Sequence, residues 1–255
     1  MYCLHNPSAR RQFLALATGK RRSLTTSARR ASDNTSSAPA ALIYPAPSSR
    51  RHHDLASFQS YAARTKLDPT STVYVGTLYE YTVAAALARH GFSLRRVGGA
   101  RDRGTDLLGT WTLLPGAGTT TPVLVQCKAG VGQRVGPQHV RELEGALAGA
   151  PPGWRAGLAV LACERPATRG VREALARSRW PMALVCCEAA AGGGRVRQMV
   201  WNKRAEEQEG GAGLQGVAVG TRFDKEGEME MVLLHKGRVL PFVGDGGCGD
   251  AERGG

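Results

Sequence analysis

"PVLVQCKAG", residues 122–130, decides how this chain is read. The apolar start is that of a buried strand, yet the run goes straight into Gln126 and Lys128. Side chains alternate faces along a strand. Gln126 and Lys128 therefore leave on the face of Leu124, and Val125 and Cys127 leave on the other. Either the strand has ended and both polar heads are solvated, or two polar groups converge there because a site needs them.

The flanking segments give the frame. "GTLYEYTVAAALARHGF" (76–92) is Ala-rich and helical, with Gly91 as its stop. "SLRRVG" and "DLLGTWTLL" read as strands that precede "PVLVQCK". "PQHVRELEGALAG" (137–149) is a second helix, with Pro137 at its first position and Val140, Leu143 and Leu147 on one face. Strand "AGLAVLAC", helix "TRGVREALARS" and strand "PMALVCC" follow. This alternation predicts an α/β fold, a mixed sheet with helices on its faces. "RVRQMVWN", "GVAVGTRF" and "EMEMVLLHKGRVLPF" read as a small C-terminal β extension. The expected organisation is a leader and linker over 1–60, a core over 61–190, the extension over 191–243 and a disordered tail over 244–255.

Of the formal charge of +13, seven Lys and Arg lie between Met1 and Ser32, where there is no acid. An Arg- and Ser-rich, acid-free leader reads as a mitochondrial transit peptide, against the blander reading of a basic arm that touches nucleic acid. The remaining +6 favours an anionic partner. No apolar run approaches membrane-spanning length. The six cysteines show no metal-ligand spacing and read as small hydrophobes in a reducing compartment. "GAGLQG" (211–216) fits GxGxxG, but a strand-like "VAVGTRF" follows where a dinucleotide fold needs a helix.

Two carboxylates join the strand end. Asp106 opens the apolar stretch beside it and needs a cationic neighbour there. Glu80, Val83, Ala84 and Leu87 form one helical stripe, which places Glu80 toward the sheet. A metal site and a plain Glu80–Lys128 ion pair both account for that placement. Arg95, Arg96, Arg101, Arg103, Arg134 and Arg141 flank these positions in sequence and suit phosphate contacts.

The order Glu80, Asp106, Gln126-x-Lys128 on helix, strand start and next strand resembles the PD-(D/E)XK nuclease superfamily. The branch is that of the Mrr restriction endonucleases, whose last motif reads Gln-x-Lys. The stretches that match are "GTLYEYTVAAALARHGF", "GGARDRGTDLLG", "LVQCK", "VGPQHVRELEGAL" and "GLAVLACERPATRGVREAL". The leader and the "MVWN … GVAVGTRF … HKGRVLPF" end also resemble the fungal mitochondrial family called required for respiratory growth protein 7.

The resemblance implies a restriction-endonuclease-like fold and a metal-dependent endonuclease acting on DNA in mitochondria, within the matrix. Asp106, the Gln126 side-chain oxygen and the Cys127 main-chain carbonyl would bind Mg²⁺, or Mn²⁺ in its place, with Glu80 completing the outer shell or orienting water. Lys128 would steer the water and offset charge growing on the phosphate. Cutting both strands would call for two copies, a homodimer. Gln126 carries less charge than a carboxylate, so the alternative is a non-catalytic DNA-binding or maintenance factor on the same fold.

Overall fold

The computed structural model describes residues 42–98, 104–114, 120–130, 132–207 and 212–243. The leader, Arg101, Arg103 and the tail lie outside the described residues.

The first helix, α1 (Leu55–Thr65), is opened by Asp54, whose carboxylate accepts from Ser57 N. It begins before Tyr61, and the chain ahead of it is docked. The Ile43 carbonyl accepts from Trp154 Nε1 at 3.0 Å, and Tyr44 meets the Trp154 ring edge-on. His52 is buried against Phe58 and Tyr81, its Nδ1 2.8 Å from the Tyr81 hydroxyl. The described end of the expected linker is thus held by aromatic residues that pattern reading leaves unassigned.

Helix α2 (Thr72–Ala88) is capped by Ser71 and ends just before Gly91, which takes φ +86°, a conformation that suits glycine. Next come β1 (Phe92–Arg96), β2 (Leu107–Trp111) and β3 (Thr121–Lys128). Helix α3 (Pro137–Gly149) starts with proline at a position whose N–H has no intrahelical partner. A four-residue turn of helix, α4 (Pro152–Arg155), leads into β4 (Leu158–Cys163); α5 (Arg169–Arg177) leads into β5 (Met182–Cys187). Both strands are buried at every position, as expected of central parallel strands covered on both faces.

Strand β6 (Val196–Trp201) pairs antiparallel with β5. This stretch was expected to open the C-terminal extension and instead completes the main sheet, because Val196 and Met199 bury into the same core as Val185. A short helix α6 (Lys203–Glu206) follows, then β7 (Val217–Phe223), β8 (Met229–His235) and β9 (Arg238–Val239). The main sheet runs β1-β2-β3-β4-β5-β6, with β3, β4 and β5 parallel and the outer pairings antiparallel; β7-β8-β9 form a second, smaller sheet.

Two cores sandwich the main sheet. Tyr79, Val83 and Leu87 of α2 pack on Val123, Val125, Val160 and Val185, joined by Met231 and Leu233 of the small sheet. On the other side Val140, Leu143 and Leu147 of α3 and Val171 of α5 pack on Leu108, Leu124, Leu161 and Leu184. The architecture is a mixed α/β fold, a six-stranded mixed sheet flanked by helices. No described helix is long and apolar enough to cross a membrane.

Candidate functional site

The alternation read from the sequence is the one the strand adopts. Val123 and Val125 enter the α2-side core with Cys127 beside them, while Leu124 enters the α3-side core. Gln126 and Lys128 emerge on the α3 side. A Cβ on Gly104 would stand 3.0 Å from Gln126 Nε2 and 3.9 Å from Ala146 Cβ of α3. Lys128 Nζ lies 3.1 Å from Glu142 Oε2, also of α3.

Pairing of β2 with β3 puts Leu107 opposite Val125, so Asp106 arrives beside Gln126. The Asp106 carboxylate is fixed by the main chain of β3, its Oδ2 accepting from Cys127 N at 2.6 Å. Asp106 N donates to the Val125 carbonyl, and the Asp106 carbonyl accepts from Val97 N and Gly98 N, each at 2.8 Å. Gly98 leaves open the space that a Cβ would fill 3.1 Å from Asp106 Oδ1, and Gly104, at φ +79°, does so over Gln126.

Gln126 is the outlier of this cluster. It is 6% exposed, and its Oε1 is buried with no hydrogen-bond partner among the described residues. A buried acceptor left unmet costs about 1–3 kcal/mol. Gln126 lies on the strand position opposite Asp106, whose carboxylate is pinned by the main chain of β3. Among the described residues no three His, Cys, Asp or Glu side chains come close enough to hold a metal. Any cation here would therefore lean on the Gln126 amide and on main-chain oxygen.

Glu80 sits on the other face of the sheet, on α2. Its carboxylate is bound by the Arg96 guanidinium, and both side chains are 13% exposed. Arg96 also donates to Ser48 Oγ at 2.7 Å and Thr77 Oγ1 at 3.3 Å. The Glu80–Lys128 ion pair is not formed; each partner has another. Neither Arg96 nor Glu142 was assigned such a role from the sequence. For Arg96 the signal was present: it shares a strand face with Leu94, two residues earlier, which packs on the α2-side core. Glu142 gave none, because it is an exposed helix position beside an apolar stripe.

The remaining groups are accounted for locally. Burial, reinforced by the Asp106 and Glu80 carboxylates, pushes the Cys127 thiol well above its ordinary value, so its sulfur stays protonated. Burial likewise pushes Cys163 and Cys187 up to about 12 and Cys186 up to about 11. His139 Nδ1 accepts from Gly136 N at 2.9 Å, an N-terminal helix contact. His90, whose carbonyl accepts from Trp111 Nε1, is lowered by burial to about 4. Arg95 lies 4.8 Å over the Tyr44 ring, and Arg134 and Arg141 are exposed.

Fold and cluster together define a two-sided mixed α/β domain with a polar site at the end of its third strand. The model of the family described as Required for respiratory growth protein 7 matches residues 71–122 and 117–210, and the chain belongs to that family. It is similar to an uncharacterized mitochondrial protein of Schizosaccharomyces pombe, 36% identical over 154 residues, which cover 60% of this chain and 61% of the relative. It is also similar to Required for respiratory growth protein 7, mitochondrial, of Eremothecium gossypii (38% identical, 35% of this chain and 52% of the relative). The protein of that name in Saccharomyces cerevisiae is 29% identical over 38% of this chain and 56% of its own length. The chain thus spans 61% of the first relative and little more than half of the other two. No solved structure matches it significantly.

Proposed function

We propose that this chain is a mitochondrial, restriction-endonuclease-like protein that hydrolyses DNA phosphodiester bonds with Mg²⁺ or Mn²⁺, in support of mitochondrial genome upkeep and respiratory growth. The names of its relatives and the acid-free basic leader support the mitochondrial part, and a matrix location follows from a DNA substrate. The chemical part rests on the unpartnered Gln126 Oε1 beside the pinned Asp106.

Asp106 supplies the negative charge of the site and is kept in place by Cys127 N–H. Gln126 Oε1 and the Cys127 carbonyl add neutral oxygens. A divalent cation held there would supply Lewis acidity toward a phosphate oxygen. Lys128 brings an ammonium to the same strand end, where it offsets charge on the reacting phosphate. Its contact with Glu142, half exposed, is of the kind worth at most about 1 kcal/mol, so a phosphate can displace it. Glu80 is held by Arg96 and acts at a distance, through the field that helps to raise the Cys127 thiol.

A second reading has its own observation. The charged groups on both faces already have partners, Glu80 in Arg96 and Lys128 in Glu142, as in a fold that binds DNA without cutting it. The full-length chain and its Asp106→Asn and Lys128→Met variants, matched for stability, separate the two on duplex, nicked and flap DNA with Mg²⁺, Mn²⁺ or EDTA. Metal-dependent cutting that falls at least about 100-fold in both variants supports the nuclease. Equal DNA binding without cutting in all three supports the binding factor.

A further inference from the structure

Sheet edges in folded proteins are kept from pairing with other chains by being short, charged or covered. Three edges of this molecule follow that rule. Strand β9 is two residues long and carries Arg238. Strand β1 carries Arg95 and Arg96, which engage Tyr44 and Ser48 of the docked segment before α1. Strand β6 lies against β8, where Arg197 donates to the Met229 carbonyl at 2.7 Å. Strand β7 is the least protected of the four. Its seven residues, VAVGTRF, hold no proline and one charge, and most are exposed, with Phe223 at 75%. Among the described residues β7 pairs only with β8, so alternate N–H and C=O groups along its outer side face away from any strand.

We propose that β7 pairs antiparallel with β7 of a second copy about a two-fold axis at Gly220, joining two chains through one continuous sheet. The strand is self-complementary in that register. Val217 faces Phe223 of the second copy, Val219 faces Thr221, and Ala218 faces Arg222. Odd positions of both copies share a sheet face, so Phe223, bare in one chain, is covered by Val217 of the other. The two Arg222 residues stand four positions apart, about 13 Å along the strand, beyond the ~8 Å screening length.

Charge complements the ends. The turn after β7 carries Asp224, Lys225, Glu226 and Glu228, of which Asp224 is held by Arg195 at 3.2 Å. Its net acidic charge therefore rests on Glu226 and Glu228 where it runs past Gly216 of the second copy. There Lys236 packs, its Cγ 3.8 Å from where a Cβ on Gly216 would stand. Seven paired residues bury less than the roughly 1,600 Å² of a standard interface, so the dimer is weak and concentration-dependent.

Sedimentation velocity of the full chain, from low to high micromolar concentration, tests this. The expected result is a monomer–dimer equilibrium that Val219→Lys weakens at least about tenfold without lowering the melting temperature. Lys236→Glu is expected to weaken it as well, and adding Glu226→Lys to restore it. Register is read by the double variant Val219→Cys, Thr221→Cys, which diamide should convert to a covalent dimer through a 219–221 disulfide between chains. A monomer at every concentration, or a dimer indifferent to Val219→Lys, overturns the proposal.

Discussion

The two faces of β3 carry the same kinds of residue and treat them differently. On the α2 side, beyond Val123 and Val125, the polar end is an ion pair of Glu80 and Arg96, nearly enclosed and anchored further by Ser48 and Thr77. On the α3 side, beyond Leu124, it is a buried amide whose oxygen is unmet among the described residues and a lysine paired with a half-exposed glutamate. A closed polar cluster stabilises a fold; one with unmet capacity is where a ligand can add interactions. The contrast is why the proposed chemistry is placed on the second face and a structural role on the first.

Three substitutions sharpen or break this contrast. The largest effect belongs to Arg96→Ala, which leaves the Glu80 carboxylate enclosed without its guanidinium. Loss of about 3 kcal/mol in urea denaturation is expected, and a loss below about 1 kcal/mol would show that the α2 face is not the structural one. Next is Gln126→Leu, which replaces an unmet acceptor by an apolar group of similar volume. Stability is expected to hold or to rise by about 1 kcal/mol; under the proposed function Mn²⁺ raises the melting temperature of the parent chain and not of this variant. A large loss of stability would mean that the Gln126 oxygen is satisfied in solution and that the faces are alike. Smallest is Glu142→Gln, expected to cost no more than about 0.5 kcal/mol and less in high salt. The same variant should tighten DNA binding by freeing Lys128, and unchanged binding would detach Lys128 from the interface.

Much of this was legible beforehand because it follows from local rules. The strand period placed Gln126 and Lys128 together, and the helical period turned Glu80 toward the sheet. Gly91 and Pro137 marked helix ends through backbone chemistry that needs no tertiary context, whereas the start of α2 at Ser71 lies ahead of the stretch read as helical. The segment 196–201 was harder. Its pattern announces a strand but not which sheet receives it, a choice made by the burial of Val196 and Met199 beside β5. The docking of Tyr44, Ser48 and His52 was invisible for a related reason. A stretch rich in Ser, Ala and Pro has no period, and its order comes from partners far along the chain, Trp154, Arg96 and Tyr81.

By itself the sequence determined the order of elements from α2 to β5 apart from the short α4, the two faces of β3 and the identity of the polar groups at its end, since spacing along one chain fixes which side chains share a face. Tertiary structure alone decided the partners: Arg96 for Glu80, Glu142 for Lys128, the Cys127 N–H for Asp106, and, among the described residues, none for the Gln126 oxygen. The physical reason is reach. A hydrogen bond or ion pair acts over about 3 Å, and only the packing of α2 and α3 on opposite faces of one sheet brings residues distant in sequence within that range.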